Sequence, residues 1–217
     1  MTYLLSIDTT NGTSVAIHHD GETVVSIHHD SGMKHAELIG NTIKTALSEA
    51  KLAPHQLTAV AVGRGPGLFT GLRVGIAAAI MFAEAIDKPL FGVISLDAIA
   101  LQNYESKQID LPLLIHTDAR RGEVNWALYD GLDSHQMPKR IAGPAVGKFD
   151  AVVNEIRDIH SSIHEVTGGA TADYIGKLAD LQLKAAQTSK DVSALYLRAP
   201  DAALPKPNQP FGKRVSG

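Results

Sequence analysis

Two aspartates, each directly after an apolar run, are the residues of this chain whose type and position most suggest chemistry. Asp8 and Asp118 each end a predicted strand, and Thr9 and Thr10 add hydroxyls after the first of them. Carboxylates at strand ends, beside the amides of a hairpin, suit a divalent cation with bound phosphates. An aspartate after a strand can equally do no more than accept hydrogen bonds in a turn. The local sequence leaves both interpretations open.

A glycine-rich segment, residues 63–75, is the densest motif. It holds five glycines and one proline, which indicates backbone with positive φ or in close contact with another group. It matches neither phosphate-binding fingerprint, because it has no Gly-x-x-x-x-Gly-Lys and because Leu68 and Thr70 stand where Gly-x-Gly-x-x-Gly needs its last glycine. We expect Thr70 to cap the following helix. Arg73 would then oppose the helix dipole, so Arg73 or Arg64 should meet a carboxylate, a phosphate or a partner.

The histidines and possible nucleophiles give no catalytic centre. His35 opens the first predicted helix, but Ile39 stands one turn later, where a second helical ligand would lie. A zinc site normally needs three or four protein ligands, so no metal site is predicted. The chain has no cysteine, and it has no Gly-x-Ser-x-Gly motif. We therefore predict no catalytic residue.

The elements that must position these residues can be read from the apolar periodicity. Strands are predicted over residues 3–8, 13–19, 23–29, 59–62, 90–94, 113–118, 123–129 and 163–167. Helices are predicted over residues 33–50, 70–86, 95–103, 148–159 and 170–181, with Ser95 as a cap. Gly168 and Gly169 form a turn before the last helix. The sequence thus predicts a mixed α/β protein that opens with a three-stranded meander.

A repeat relates the two halves of the chain. At a constant offset of 110 residues, Asp8, Gly12, Asp20 and Gly21 map onto Asp118, Gly122, Asp130 and Gly131. Apolar strands flank both sets, which predicts a duplicated lobe of meander, helix, strand and helix. We assign residues 1–103 to an N-terminal lobe with the partner-docking surface, 104–199 to a reduced C-terminal lobe, and 200–217 to a Pro-rich basic tail.

Composition narrows the class of protein further. A net charge of −3 over 217 residues provides no general basic field for nucleic acid. The last twenty residues are an exception, with Arg198, Lys206, Lys213 and Arg214 against Asp201. Met1 leads directly into a strand pattern, and no apolar run is long enough to span a bilayer. We expect a cytoplasmic protein without membrane contact.

Several motifs together resemble the TsaB (YeaZ) family. They are residues 7–10, Ile-Asp-Thr-Thr; the helix that begins with His35; and above all residues 63–75, Gly-Arg-Gly-Pro-Gly-Leu-Phe-Thr-Gly-Leu-Arg-Val-Gly. Residues 118–124 and 195–201 resemble two later signatures of that family. The resemblance is dense over residues 1–130 and sparse from there to Tyr196-Leu-Arg198.

The resemblance implies an actin-like (ASKHA, ribonuclease-H-like) fold with two duplicated lobes, the second reduced. It implies a non-catalytic subunit required for tRNA N6-threonylcarbamoyladenosine modification at the adenosine beside the anticodon. In that role the chain would be a dimerisation scaffold or activator of the catalytic paralogue TsaD, whose His-x-x-x-His metal motif corresponds to His35 and Ile39 here. The ATPase TsaE would join the complex, tRNA would bind through the complex, and the chain would form a homodimer when alone.

The resemblance also implies which residues bind what. The interface with TsaD would comprise His35, Leu38, Ile39, Thr42, Thr70, Gly71, Arg73, Val74, Gly75 and Ala78. Nucleotide or phosphate would contact Asp8, Thr9, Thr10, Arg64 and Asp118. No cofactor is expected to bind tightly, and any ATP or ADP with Mg²⁺ would bind weakly or be shared at the subunit interface. We expect another chain of the same fold to approach residues 63–75.

Two other functions remain to be weighed. In an autonomous ASKHA-type ATPase or kinase, Asp8 and Asp118 would hold Mg-ATP, and Gly168-Gly169 would border the adenosine as in actin-like ATPases. Calorimetric titration with ATP and Mg²⁺ would detect that activity. A peptidase, a label attached to relatives of this fold, would need a nucleophile or a metal with three ligands, and the sequence provides neither.

Overall fold

The computed structural model describes residues 2–30 and 34–198. The first half contains β1 (Tyr3–Asp8), β2 (Thr13–His19), β3 (Glu22–His29), α1 (His35–Glu49), β4 (Ala59–Gly63), α2 (Phe69–Ala85), β5 (Leu90–Val93) and α3 (Ser95–Ser106). The second half contains β6 (Leu113–Asp118), β7 (Glu123–Leu132), β8 (Pro138–Lys148), α4 (Phe149–Ile159), β9 (His164–Thr167) and α5 (Ala172–Lys184). The predicted start at Met33 and the predicted tail lie outside the described residues.

The two halves repeat one topology. The first sheet has strand order β3-β2-β1-β4-β5, and the second has order β8-β7-β6-β9. In each sheet the central strand pairs antiparallel with the next strand in sequence and parallel with the strand that follows the helix. The duplicated, actin-like architecture is therefore confirmed. The second lobe is reduced, because among the described residues its sheet has no counterpart of β5.

The elements form alternating layers because successive strand residues face opposite sides of a sheet. On one face of the first sheet, α1 and α2 pack around Leu5, Ile7 and Val62. On its other face, α3 and α5 lie between the two sheets in a core that joins Leu4 of the first lobe to Ile115 of the second. Helix α4 covers the outer face of the second sheet.

One predicted turn is wrong and one strand was not predicted. Residues Asp130 and Gly131 lie inside β7, and Gly131 donates its amide to the Tyr104 hydroxyl at 2.9 Å. The turn comes later, where Asp133 accepts hydrogen bonds from the amides of His135 and Met137 at 2.8 and 3.0 Å. Strand β8 follows this turn and completes the second meander.

Both predicted helix caps are also wrong. Helix α2 begins at Phe69 after Leu68, so Thr70 is its second residue, and no side chain caps the helix. Helix α3 begins at Ser95 itself, whose hydroxyl is used elsewhere. Within residues 2–30 and 34–198, no helix is long and apolar enough to cross a bilayer.

The chain after α5 returns to the first lobe. The amide of Gly92 in β5 donates to the Ser189 carbonyl at 2.9 Å, and the Leu195 amide donates to the Arg64 carbonyl at 2.7 Å. Gly92 allows this approach, because a Cβ there would collide with the Asp191 carbonyl. Residues 189–195, which were predicted to belong to the second lobe, thus lie along the first.

Candidate functional site

The loops after β1, β4, β6 and β9 meet between the two lobes. They enclose a cavity of about 420 Å³, in the size range of small-molecule sites. Thr10, Asp118 and the Gly168-Gly169 turn are among the residues that line it. The space is narrow at Asn11, since a Cβ on Gly169 would overlap the Asn11 side chain. The lobes therefore already touch across the predicted cleft.

Asp8 does not line this cavity. It is 1% exposed, and its Oδ1 accepts hydrogen bonds from the Thr10 amide at 2.8 Å and the Thr10 hydroxyl at 2.6 Å. Its Oδ2 accepts from the Ser95 hydroxyl at 3.1 Å, and that hydroxyl also accepts from the Gly65 amide. Burial raises the pKa of Asp8 from 3.8 to about 6, although these hydrogen bonds lower it in part. Asp8 thus ties three loops together.

Asp118 occupies the corresponding position in the repeat but a different environment. Its Oδ1 accepts from the Arg120 amide at 2.7 Å, as Asp8 does from the amide two residues on. Its side chain is 65% exposed and lines the cavity. The two carboxylates therefore do not form an exposed pair, and nothing in this arrangement favours the ATPase or kinase alternative.

Thr9 and Arg64 are also engaged within the chain. Thr9 is 2% exposed and donates its hydroxyl to the Gly71 carbonyl at 2.8 Å. Arg64 forms an ion pair with Asp191 at 2.6 Å, and its side chain is 14% exposed. Of the predicted nucleotide or phosphate contacts, only Thr10 and Asp118 line the cavity.

The histidine that opens α1 is buried. The Nδ1 of His35 lies 2.8 Å from the Thr13 hydroxyl. Ile39 is 7% exposed and packs in the core of the first lobe. Among the described residues, no group of three or more His, Asp or Glu is arranged to hold a metal ion.

The glycines of α2 serve contacts inside this chain. A Cβ on Gly75 would overlap the Thr9 side chain, and one on Gly71 would lie 2.7 Å from the His35 ring and 2.9 Å from the Thr9 carbonyl. We expected another protein to contact these glycines closely, but Thr9, just after β1, and His35, at the start of α1, contact them instead. This correction removes half of the predicted interface residues from the surface, since five are buried: His35, Ile39, Thr42, Gly71 and Gly75.

The outer face of α2 remains accessible. Thr70 and Arg73 of this helix are exposed, and Val74 and Ala78 are half-buried, as is Leu38 on the neighbouring α1. Beyond the predicted residues, Met81 is 74% and Ile80 39% exposed. The ten residues 74–83 carry no charge, so between the exposed Arg73 and Glu84 this helix presents an uncharged, apolar strip on the outside of the molecule.

An aromatic cluster joins the start of α2 to the C-terminal segment. Phe69 and Tyr196 stack with ring centroids 4.9 Å apart. The Arg73 guanidinium lies 3.6 Å from the Phe69 centroid, and its Nε donates to the Tyr196 hydroxyl at 2.8 Å. Arg73 therefore meets aromatic rings of its own chain. Sequence reasoning missed this cluster, because Phe69 and Tyr196 are 127 positions apart and share no local pattern.

The family comparison covers most of the chain. Residues 27–195 match the family model of TsaD, tRNA N6-adenosine threonylcarbamoyltransferase. An uncharacterized protein of Mycobacterium leprae is 42% identical over 153 residues, which are 68% of this chain and 39% of the relative. The tRNA threonylcarbamoyladenosine biosynthesis protein TsaB of Escherichia coli is 37% identical over 128 residues, 58% of this chain and 54% of that protein. The matches thus span about half the length of these curated relatives, or less.

A solved structure agrees with the sequence comparison. YeaZ from Pseudomonas aeruginosa has a TM-score of 0.74 at 25% identity, over 91% of this chain and all of that one. The fold described above is therefore shared with a solved structure over most of its length. The chain belongs to the threonylcarbamoyltransferase family that the TsaD model describes, and within it to the TsaB (YeaZ) family of tRNA threonylcarbamoyladenosine biosynthesis proteins.

Proposed function

We propose that this chain is a non-catalytic subunit of the machinery that makes N6-threonylcarbamoyladenosine in tRNA. Family membership supports the pathway. The non-catalytic role is supported by Ile39, which occupies the position of the second metal histidine in TsaD and points into the core. The chain would act as a scaffold or activator of TsaD in the cytoplasm, with TsaE and tRNA engaged through the complex.

The observation that carries the docking role is the apolar outer face of α2. Met81 is the most exposed large hydrophobic residue of this strip, at 74%. On the neighbouring α1, Gly40 is exposed, and a Cβ there would have no atom within 4 Å. An apolar, uncharged strip beside a small residue favours close packing by helices of another protein. TsaD is the proposed partner, and a second copy of this chain would occupy the same face when TsaD is absent.

A single exposed substitution tests the docking surface. Met81→Glu should abolish complex formation with TsaD in size-exclusion chromatography, because it buries a charge without a partner in the interface. Ile159→Glu is the matched control, since Ile159 is 76% exposed at the end of α4, on the other lobe. A complex that survives Met81→Glu would contradict the assignment of this face.

The functional role is tested separately by reconstitution. Threonylcarbamoyl transfer to tRNA should require this chain in addition to TsaD, TsaE and the enzyme that makes threonylcarbamoyl-adenylate. Transfer at the full rate without this chain would refute the proposal. Any ATP or ADP with Mg²⁺ at the subunit interface should bind weakly to the isolated chain, which calorimetry would measure.

A further inference from the structure

A groove runs along the flank of α2 that faces away from α1. Helix α1 packs on β2 and β3, whereas α2 packs on β4 and β5. Beyond α2 lies the C-terminal segment, residues 189–196, and two adjoining pockets of about 410 and 380 Å³ separate it from the helix. Ile80 and Val192 line both pockets, which therefore form one continuous groove. Met81, on the docking surface proposed above, does not line this groove.

Both walls of the groove are largely apolar. On α2 the wall includes Ile76, Ala77 and Ile80, and on the C-terminal segment it includes Val192 and Ala194. Ala77 and Ile80 are exposed. Apolar side chains that line an open groove indicate contact with another molecule.

The groove is long enough for a short peptide. It extends from Arg73 and Tyr196 at the start of α2 to Glu84 and Lys190 near the end of that helix. From Arg73 to Glu84 the helix rises by about 16 Å, which is the length of about five residues of extended chain. The C-terminal segment runs antiparallel to α2 along this length.

The backbone of the C-terminal segment has amides that are open to pairing. The amides on either side of Ala194 donate within the chain, to the Asp191 carboxylate at 2.9 Å and to the Arg64 carbonyl at 2.7 Å. By contrast, the amides of Val192 and Ala194 have no hydrogen-bond partner among the described residues. An unpaired amide is costly to bury, so we infer that both face solvent. Alternate bonded and unbonded amides are the pattern of an edge strand, which offers a template for pairing with another chain.

The charges at one end of the groove favour an acidic group. Lys88 and Lys190 line that end, and neither has an ion-pair partner among the described residues. Glu84 is the single acidic residue among the described residues that line the groove. At the other end, Arg73 is occupied by the aromatic cluster. The two lysines therefore complement a negative charge on whatever fills the groove.

We propose that this groove binds an extended segment of a partner protein by β-strand addition. The backbone of the segment pairs with the amides of Val192 and Ala194, alternate apolar side chains enter the groove, and an acidic end lies at Lys88 and Lys190. Main-chain pairing supplies affinity in this binding mode, and the side-chain pockets supply specificity. The site goes beyond the proposed scaffold role and does not rest on it, because Met81 lies outside the groove.

Nuclear magnetic resonance of the isotope-labelled full chain tests the site with two synthetic peptides. Their sequences are Glu-Glu-Val-Thr-Val-Thr-Val and the reverse order, so that the acidic end can meet the lysines in either strand direction. At least one peptide should shift the amide signals of Val192 and Ala194 and slow their exchange with solvent, because the peptide backbone pairs with them. Replacement of both glutamates by lysines should weaken binding by about tenfold or more, because like charges then meet Lys88 and Lys190.

A substitution on the opposite wall tests whether the peptide occupies the groove. Ala77→Arg should weaken peptide binding by about tenfold or more, because the long side chain fills the groove and adds charge to its apolar wall. Ala151→Arg is the matched control, since Ala151 is also an exposed helical alanine but lies on α4 of the other lobe. Met81→Glu should bind the peptide as the unmodified chain does, so a failure of this proposal is distinguishable from a failure of TsaD docking. Thermal unfolding of each variant confirms that it is folded.

Three results would overturn the proposal: no response of the Val192 and Ala194 amides to either peptide, unchanged binding in Ala77→Arg, or equal binding of the lysine-ended peptides. Hydrogen exchange of the free chain excludes other occupants. Protection of the two amides that disappears on dilution would assign the groove to a second copy of this chain. Protection at every concentration would assign it to a segment of the chain itself. Either outcome would contradict a separate partner.

Discussion

At the scale of single residues, Asp8 shows how one carboxylate can be structural in this fold. Its two oxygens hold the loop after β1, the loop after β4 and the start of α3. Even a Cβ on Gly63 would collide with its carboxylate. The exposed counterpart Asp118 closes only its own hairpin turn. Aspartates at equivalent positions of the repeat thus differ: Asp8 is a buried structural residue of the first lobe, and Asp118 is an exposed carboxylate of the second.

The buried position of Asp8 predicts a specific pH dependence of stability. Its pKa in the folded protein is raised to about 6 by burial, so the folded state binds a proton more readily than the unfolded state. The protonated Asp8 stabilises the fold at low pH, and this contribution is lost as the pH rises from about 4 through about 6. Relative to Asp8→Asn, the unmodified chain should lose roughly 2 kcal/mol between pH 4 and pH 6.

Urea unfolding of both proteins between pH 4 and 7 measures this difference. The comparison cancels His18, whose pKa is lowered to about 4 by burial and whose contribution to stability changes with pH in the opposite direction. If the difference in unfolding free energy between Asp8→Asn and the unmodified chain does not change with pH, burial does not raise the pKa of Asp8.

At the scale of elements, the sequence predicted the strands and helices that have a clear apolar period, such as β1, β2 and α2. It did not reveal β8, because Pro138, Gly143, Pro144 and Gly147 interrupt the pattern and resemble a loop. The structure explains why they are tolerated, since β8 is at the edge of its sheet, where a missing amide costs no ladder hydrogen bond. The stacking of Phe69 on Tyr196 was equally hidden, because it depends on the return of the C-terminal segment to the first lobe.

The packing of α2 on β1 gives a prediction at this scale. Gly75→Ala should destabilise the protein by about 1–3 kcal/mol, because the new methyl group overlaps the buried Thr9 side chain. Gly40→Ala, the matched control in α1, should stabilise it by up to about 1 kcal/mol, since the site is open and alanine favours helix. Chemical denaturation measures both changes.

A double-mutant cycle identifies the cause. Thr9→Ala removes Oγ1 and Cγ2, the two nearest atoms that a methyl group on Gly75 would meet, and leaves only the Cβ. Thr9→Ala/Gly75→Ala should therefore be more stable than the sum of the two single changes predicts. Strict additivity would indicate that Gly75 is required for another reason, such as a partner at that position.

At the scale of the whole molecule, the repeat in sequence predicted two lobes but not how they are joined. Helix α5 belongs to the second repeat, yet its first residue, Ala172, accepts a hydrogen bond from the Ser6 hydroxyl at 2.7 Å and donates to the Ser14 hydroxyl at 2.8 Å. Gly176 lets the same helix rest against His18. Such contacts cannot be read from periodicity, because they depend on which sheet each helix face meets.

The shared core between the sheets predicts that both lobes unfold together. The chain has one tryptophan, Trp126 in the second lobe, so its fluorescence reports that lobe while far-UV circular dichroism reports both. The two urea transitions should coincide.

Val93→Ala, in β5 of the first lobe, should shift both midpoints equally. Val93 is fully buried in the core that α5 shares, and its truncation costs roughly 1–3 kcal/mol. Val24→Ala, at a half-exposed position of β3, should shift neither. A Trp126 transition that ignores Val93→Ala would mean that the second lobe folds on its own and that the core between the sheets contributes little to joining them.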